Sequence, residues 1–171
     1  NQYPRSKSPI EERGKSITAD HRKIARQFGK DFFDGERLYG YGGYSYHPRF
    51  WQDTVKRFRD HYQLNTEARI LDVGCGKGFL LYEMKQILPE LMVAGFDISE
   101  HGLSQSKEEI RNQLFIHKAQ DLYPYESNSF DLVFSLGCLH NLRVFELGNA
   151  LKEIERVGRQ GYVMVESYRS E

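Results

Sequence analysis

The sequence predicts an α/β fold in which a parallel β-sheet carries helices on both faces. From Ala68 onward, short apolar runs rich in Val, Ile and Leu alternate with segments of helical spacing. Such alternation is typical of parallel sheets whose strands are buried on both faces. A glycine-rich turn also joins the first strand to the first helix of the series, in the sequence ILDVGCGKGFLLYEM at positions 70–84. Strand, glycine turn and helix in this order are the first unit of such a sheet.

The elements of the alternating part follow from apolar periodicity, turn residues and helix caps. Strands are expected at Arg69–Val73, Met92–Phe96, Leu114–His117, Phe130–Leu136 and Gly161–Glu166, and helices at Phe79–Leu88, Leu103–Asn112 and Val144–Val157. This series forms one predicted domain, residues 67–171. Ligands of such sheets bind beyond the carboxyl ends of the strands, so the residues directly after each strand are the first candidates for a site.

Residues 1–66 are expected to form an extension of this domain. Helical spacing predicts one helix over Ile17–Phe33, with Thr18 or Asp20 as its N-cap, and a second over Phe50–Tyr62. Between them, the segment YGYGGYSYHPRFW at positions 39–51 alternates aromatic residues with glycines and shows no lasting period. This segment is predicted to be a loop.

Composition limits the classes of partner. The 171 residues carry 24 basic and 24 acidic side chains, but the extension holds 13 Lys and Arg against 8 Asp and Glu, and the remainder 11 against 16. This separation can attract an anionic substrate. The chain lacks the basic stripe of a nucleic-acid-binding protein, a bilayer-spanning segment and a signal peptide. We therefore expect a cytoplasmic protein with no nucleic-acid or membrane partner, and the oligomeric state stays open.

Cysteine and histidine usage argues against a metal site. Cys75 and Cys138 lie in or beside predicted strands, far from any C-x-x-C spacing, and are expected to be reduced thiols of the core or of a pocket. The six histidines are scattered without chelating spacing. No metal is therefore expected.

The glycine turn predicts a ligand of nucleotide size. Gly74, Gly76 and Gly78 let the backbone turn tightly and approach a ligand, and the helix that follows presents free N–H groups. A dinucleotide fingerprint requires a third glycine where Phe79 stands, and this difference weakens the case for a nicotinamide cofactor. A P-loop is excluded because Leu71 stands at its first glycine and Gly78 at its Ser or Thr.

Asp97 ends the second predicted strand, in the sequence VAGFDIS. A carboxylate at this place can accept hydrogen bonds from both hydroxyls of a ribose whose neighbouring groups lie on the glycine turn. The alternative is that Asp97 only caps the next helix. The ribose-binding role predicts a ligand that contains a nucleoside, and it does not distinguish one nucleoside-containing cofactor from another.

The pattern D-x-G-x-G-x-G at positions 72–78 resembles motif I of the class I S-adenosylmethionine-dependent methyltransferases, and NSFDLVFSLGCLHNL at positions 128–142 resembles a second motif of that family. The resemblance implies a Rossmann-like sheet, here without the family's C-terminal strands, and S-adenosylmethionine as cofactor with S-adenosylhomocysteine as product. The implied cofactor contacts are Asp72, Gly74, Cys75, Gly76, Gly78, Asp97, Ile98, Ala119, Gln120, Ser135 and Tyr41. Lys118 stands where the family often has an acid, and we leave it out of the site because lysine cannot accept from the adenine amino group.

Methyl transfer requires alignment of donor and acceptor, and a general base helps where the acceptor is a hydroxyl. His140 and Glu166 are the candidate catalytic bases. The aromatic loop resembles that of small-molecule methyltransferases of bacterial surface-sugar or secondary-metabolite pathways, and it is expected to close as a lid over the site. The candidate substrate contacts are Tyr44, Tyr46, Arg49 and Tyr168. Alternatively, the loop tyrosines only pack the extension onto the sheet.

The sequence thus predicts a methyltransferase acting on an oxygen, or a nitrogen, of a small anionic or sugar-like metabolite. Two alternatives stay open. A catalytically inactive S-adenosylmethionine-binding fold would serve as a regulator or assembly partner, and an NAD-dependent oxidoreductase would use Asp97 and the glycine turn in the same way.

Overall fold

The computed structural model describes residues 16–165, and its centre is a five-stranded parallel sheet of order β3-β2-β1-β4-β5. The strands are β1 (Arg69–Val73), β2 (Met92–Asp97), β3 (Leu114–Ile116), β4 (Leu132–Leu136) and β5 (Gly161–Met164). The helices are α1 (Ala19–Ala25), α2 (Lys30–Asp34), α3 (Gln52–Tyr62), α4 (Phe79–Ile87), α5 (Glu100–Ser104), α6 (Glu108–Arg111) and α7 (Val144–Val157), with 3-10 turns at Pro48–Phe50 and Leu139–Asn141. The predicted α/β class with a Rossmann-like parallel sheet is confirmed.

Strand β1 divides the apolar core into two layers. Ile70 packs into the layer that α3 and α4 cover, whereas Leu71 and Val73 pack into the layer that α7 covers. All three side chains are fully buried, as the period of two along a strand requires. Each contributes about 1.5–3 kcal/mol through burial of its apolar surface.

The strand order places a crevice at the carboxyl ends of β1 and β4. β1 pairs with β2 on one side and with β4 on the other, so the connections that leave β1 and β4 run to opposite halves of the sheet. In open parallel sheets such a reversal of strand order leaves a crevice where ligands bind. The glycine turn lies at this point.

Two predicted helices are each split into two shorter ones. The helix expected over Ile17–Phe33 is interrupted at Phe28, whose backbone is left-handed with φ of 49° and whose carbonyl oxygen accepts a hydrogen bond from the Ser99 hydroxyl. The helix expected over Leu103–Asn112 begins earlier as α5, because the Ser99 hydroxyl accepts from the N–H of Gly102 at 2.9 Å, and resumes as α6. These two predictions of continuous helices were wrong.

Smaller differences concern element ends. Strand β4 begins at Leu132 because Phe130 makes only an isolated bridge with Gly158, and α3 begins at Gln52 after the 3-10 turn. Thr18 caps α1 as predicted, since its hydroxyl accepts from the N–H of His21 at 3.3 Å. Within residues 16–165, no helix is long and apolar enough to cross a bilayer.

Candidate functional site

A cavity of about 390 Å³ opens at the carboxyl ends of β1, β2 and β4, a volume within the range of small-molecule sites. Three parts of the chain form its walls: the turns that follow the strands, the start of α7, and the extension. The residues of the strand ends and turns are Asp72, Gly74, Cys75, Gly76, Phe96, Asp97, Ile98, His117, Lys118, Ala119, Gln120, Leu136, Gly137, Cys138, Asn141 and Leu142, and those of the extension are Phe28, Phe32, Phe33, Tyr41, Tyr44 and Trp51. Leu80 at the start of α4 and Glu146 in α7 complete the lining.

The glycine turn forms the floor of the cavity. Gly74 and Gly76 have φ values of 80° and 57°, and both line the cavity. A Cβ at Gly74 would lie 2.3 Å from the Cys138 sulfur, so the turn after β1 and the segment after β4 are in direct contact. Gly78 also has a positive φ, but a Cβ there would lie 2.7 Å from Cδ1 of Ile110. The structure therefore places Gly78 in the packing of α4 against α6, outside the cavity lining.

Asp97 lies in the wall at the end of β2 with both carboxylate oxygens held by the backbone. Oδ2 accepts from the N–H of Gly76 and Oδ1 from the N–H of Ser99, each at 2.8 Å. The side chain that caps α5 is Ser99, so the alternative role of Asp97 as a helix cap was wrong. Each carboxylate oxygen has further lone pairs available for a ligand. Burial raises the pKa of Asp97, against the opposing effect of these backbone donors.

Asp72 is the second carboxyl group of the cavity. It is 5% exposed, and burial, together with the nearby charge of Asp97, raises its pKa well above the usual value. Both carboxyl groups therefore hold a proton to higher pH than an exposed aspartate does. A ligand that brings a positive charge or hydrogen-bond donors to this place offsets the free-energy cost of burying the ionised carboxylates.

The thiols of Cys75 and Cys138 are both free and line the cavity. Burial raises the pKa of Cys138 to about 12 and that of Cys75 well above its usual value. Both thiols are therefore protonated at neutral pH, and neither is available as a thiolate nucleophile.

This protonation predicts slow alkylation. At pH 8, we expect iodoacetamide to modify both cysteines of the native chain roughly a hundredfold or more slowly than free glutathione, because only the thiolate reacts. Mass spectrometry of quenched time points gives the two rates, and the chain unfolded in urea is the control. Equal rates for native and unfolded chain would contradict the protonated, buried state.

The aromatic loop of the extension forms a wall of the cavity. Tyr41 stacks on Tyr44 with ring centroids 4.5 Å apart, and Tyr44 packs on Phe79 at 5.1 Å. The tyrosines therefore line the cavity and pack the extension onto the sheet domain at the same time. Tyr46 lies outside the lining, where its hydroxyl donates to the carboxylate of Glu83.

Other predicted site residues are placed away from the cavity. The guanidinium of Arg49 lies 4.7 Å from the ring centroid of Phe50, and Arg49 is outside the lining. Ser135 is fully buried, and its hydroxyl donates to the carbonyl of Val73 at 2.8 Å. His140 is exposed on the 3-10 turn beside Asn141, which does line the cavity. Glu166 and Tyr168 lie outside the described residues.

Several residues of the cavity were not predicted. Gly137 directly follows β4, and this position was a signal that it belongs to the ligand edge, whereas the next residue, Cys138, was expected as a thiol of the core or of a pocket and lines the cavity. Lys118, which was left out of the site, also lines the cavity. Tyr41 and Tyr44 of the extension were predicted site residues and line the cavity. Phe28, Phe32 and Phe33 gave no signal, because nothing in their spacing connects them to the sheet. Among residues 16–165, no three metal-ligating side chains are grouped.

The extension is joined to the glycine turn by an ion pair. Lys77 Nζ lies 2.6 Å from Oδ1 and 2.8 Å from Oδ2 of Asp34, and His101 Nε2 lies 2.7 Å from Oδ2. Partial burial alone would raise the pKa of Asp34, but hydrogen bonds from Lys77 and His101 lower it to about 2. Asp34 is therefore ionised at neutral pH.

This lowered pKa predicts how stability depends on pH. A carboxyl group whose pKa is lower in the folded state stabilises the fold above its unfolded pKa and loses that effect as the pH falls toward its folded pKa. We expect the wild type to be more stable than Asp34→Asn at pH 5, and the difference to shrink between about pH 4 and pH 2. Urea unfolding of both proteins across this range measures it, and a difference independent of pH would contradict the ion pair.

Comparison with known proteins agrees with the architecture. A model of the methyltransferase domain family matches residues 64–171. The fold is similar to that of MccD, with a TM-score of 0.57 and 24% identity over 70% of this chain and 54% of that one. It is also similar to CalS10, an S-adenosylmethionine-bound amino pentose methyltransferase from Micromonospora echinaspora, with a TM-score of 0.50 and 24% identity over 60% of this chain and 42% of that one.

Curated relatives share the sheet domain but are longer. The malonyl-[acyl-carrier protein] O-methyltransferase of Legionella pneumophila is 32% identical over 92 residues, which are 52% of this chain and 32% of that protein. The mitochondrial arginine-hydroxylase NDUFAF5 of Mus musculus is 33% identical over 96 residues, 56% of this chain and 27% of that protein. The chain thus spans about a third of the length of these relatives. With the match over residues 64–171, the chain belongs to the methyltransferase domain family.

Proposed function

We propose that this chain binds S-adenosylmethionine in the cavity and transfers its methyl group to an oxygen, or a nitrogen, of a small anionic or sugar-like metabolite. Methyltransferases of this family use that donor. The observation that carries the proposal is the position of Asp97, whose carboxylate lies in the cavity wall and is hydrogen-bonded to the N–H of Gly76 at 2.8 Å. The Asp97 carboxylate, proposed to accept from the ribose hydroxyls, and the glycine turn thus lie together at the crevice of the sheet.

The residues present fit the donor. Asp97 would accept from the ribose hydroxyls, and Ile98, Ala119 and Gln120 would border the adenine. The methionine end would lie on the glycine turn near Asp72. The left-handed backbone of Gly137, at φ of 65°, leaves open space where any other residue would place a Cβ. This space lies at the cavity, which Gly137 lines.

When bound, S-adenosylmethionine supplies an electrophilic methyl group on a sulfonium centre. The protein's part is to align the acceptor with that group and to exclude water. The aromatic side chains of Tyr41, Tyr44 and Trp51 line the cavity, and their rings offer faces that attract a cation. We propose that this wall of the extension serves the donor and the acceptor together.

Lys118 and Glu146 are further titratable residues of the cavity lining. Lys118 lines the cavity and is exposed, but it directly precedes Ala119 at the proposed adenine end, so we assign it no contact with the acceptor. Glu146 lines the cavity from α7, and its carboxylate accepts from the N–H of Arg143 at 2.9 Å. His140 and Glu166 stay predictions as general bases, and Tyr168 and Arg49 stay predictions as substrate contacts. Relatives named for malonyl-carrier and amino pentose substrates support an anionic or sugar-like acceptor.

The compartment and the excluded partners are also proposals. Two free cysteines, with no disulfide between them, fit the reducing cytoplasm. A cavity of about 390 Å³ fits a small-molecule acceptor better than a nucleic acid. We therefore propose a cytoplasmic enzyme that acts on metabolites.

A labelled-methyl assay tests the proposed reaction. The chain is incubated with methyl-tritiated S-adenosylmethionine and, in separate arms, with malonyl thioesters, hydroxy acids and amino sugars, and a metabolite extract forms a further arm. We expect label in an O-methyl product that Asp97→Ala does not form. Label on nitrogen would decide for an amine acceptor. Donor binding without product in any arm would favour the regulator.

A further inference from the structure

Three ionisable side chains are buried among the described residues, and two of them take their partners from the extension. Lys77, in the glycine turn, is 5% exposed and donates to the Asp34 carboxylate and to the carbonyl of Tyr44, the latter at 2.8 Å. Glu83 of α4 is 2% exposed and accepts from the hydroxyl of Tyr46. A buried charge is strongly destabilising once its partner is removed. The extension is therefore an integral wall of the domain.

The Asp34 carboxylate joins several walls of the cavity. Besides Lys77 and His101, its Oδ1 accepts from the N–H of Tyr44 at 3.3 Å. One side chain thus connects α2, the aromatic loop, the glycine turn and α5. Neither Lys77, Asp34 nor His101 lines the cavity, so any effect of this cluster on a ligand acts through its neighbours.

Phe33, adjacent to Asp34, is the most direct of those neighbours. Its ring is 4% exposed and fills space that two glycines of the sheet domain leave open. A Cβ at Gly76 would lie 3.3 Å from the ring and a Cβ at Gly102 would lie 3.1 Å from it. The ring also stacks on Tyr41 at 5.8 Å. The ion pair that fixes Asp34 therefore also keeps Phe33, and with it the aromatic wall, against the glycine turn.

We propose that Lys77 and Asp34 are positioning residues for the methyl donor, and that their ion pair sets the donor affinity of the cavity. The pair keeps Phe33 and Tyr44 against the glycine turn before any ligand arrives. A wall that is already ordered spares the ligand the free energy of ordering it. The inference rests on the proposed donor site.

Two substitutions test the ion pair. Lys77→Met removes the charge and keeps the length of the side chain, and Asp34→Asn removes the charge of its partner. We expect each to raise the Kd for S-adenosylhomocysteine, measured by calorimetry, about tenfold or more. The double variant should be no weaker than the weaker single variant, because all three lose the same interaction.

The single tryptophan provides a readout of the wall without ligand. Trp51 is the only tryptophan of the chain and lines the cavity. We expect its emission to shift to longer wavelength in both variants, because a loosened wall admits water. An unchanged emission spectrum in both variants would contradict the proposed displacement of the wall.

Leu91→Ala is the control for general destabilisation. Leu91 is 1% exposed and lies outside the cavity lining, so its truncation should lower the melting temperature and leave the Kd unchanged at a temperature where all variants are folded. Wild-type affinity in Lys77→Met and Asp34→Asn would overturn the inference, as would equal weakening in Leu91→Ala. A wild type that does not bind S-adenosylhomocysteine would instead overturn the proposed function.

Discussion

Replacing Asp97 by alanine is expected to weaken the binding of S-adenosylhomocysteine by roughly a hundredfold or more, because two hydrogen bonds to a charged acceptor are each worth about 1.5–3 kcal/mol. The carboxylate lies in the cavity wall at the end of β2, where two backbone N–H groups hold it in place. The change removes the acceptors proposed for the ribose hydroxyls. Calorimetry at a temperature where the variant is folded measures the loss.

Asp131→Ala is the matched control for this prediction. Asp131 also accepts a backbone hydrogen bond, from the N–H of Arg69 at 2.9 Å, and pairs with Arg159 at 2.9 Å. Asp131 directly precedes β4, at the amino ends of the strands, whereas the cavity lies at their carboxyl ends. It does not line the cavity. The control should lose stability and keep its affinity. Comparable losses of affinity in the two variants would show that Asp97 acts through the fold alone.

Gly74→Ala is expected to lower the free energy of unfolding by about 2–5 kcal/mol, combining the cost of a left-handed backbone for alanine with that of overpacking. The backbone at Gly74 has φ of 80°, and a Cβ there would lie 2.3 Å from the sulfur and 2.5 Å from Cβ of Cys138. The segment after β4 must move to make room. Urea unfolding of wild type and variant measures the loss.

Gly137→Ala separates the two causes. Gly137 has a similar φ of 65°, but nothing lies within 4 Å of the position that a Cβ would take. This variant should lose only the about 1–2 kcal/mol that a left-handed alanine costs. Equal losses at the two glycines would contradict the close contact between the glycine turn and Cys138.

The glycine turn and Asp97 were predictable because their chemistry is written in a few consecutive residues after a strand. The pattern is short: a buried strand is followed by glycines at alternate positions, and the next strand ends in a carboxylate. Cys75 and Cys138 were likewise predictable as pocket thiols from their positions beside β1 and β4. Local patterns of this kind determine where the cavity lies.

The aromatic loop was predicted to lie over the site, but the contribution of Phe28 and Phe33 to this wall was not predictable, because it depends on contacts between distant residues. The break at Phe28 exists where its carbonyl meets the hydroxyl of Ser99, 71 residues further along the chain. Phe33 reaches the cavity because Gly102 and Gly76 leave room for its ring. Gly76 therefore makes space for the extension, a role that its motif does not reveal. Helical spacing alone predicted one continuous helix across this region.

Calorimetric titration of the wild-type chain with S-adenosylhomocysteine, S-adenosylmethionine and NAD tests the central claim most directly. The methyltransferase family match and Phe79, which replaces the third glycine of a dinucleotide fingerprint, predict binding of the first two and no detectable binding of NAD. Asp97→Ala, titrated in parallel, should bind the first two roughly a hundredfold or more weakly than the wild type. Binding of NAD together with no binding of S-adenosylhomocysteine would contradict the assignment of this cavity to the methyl donor.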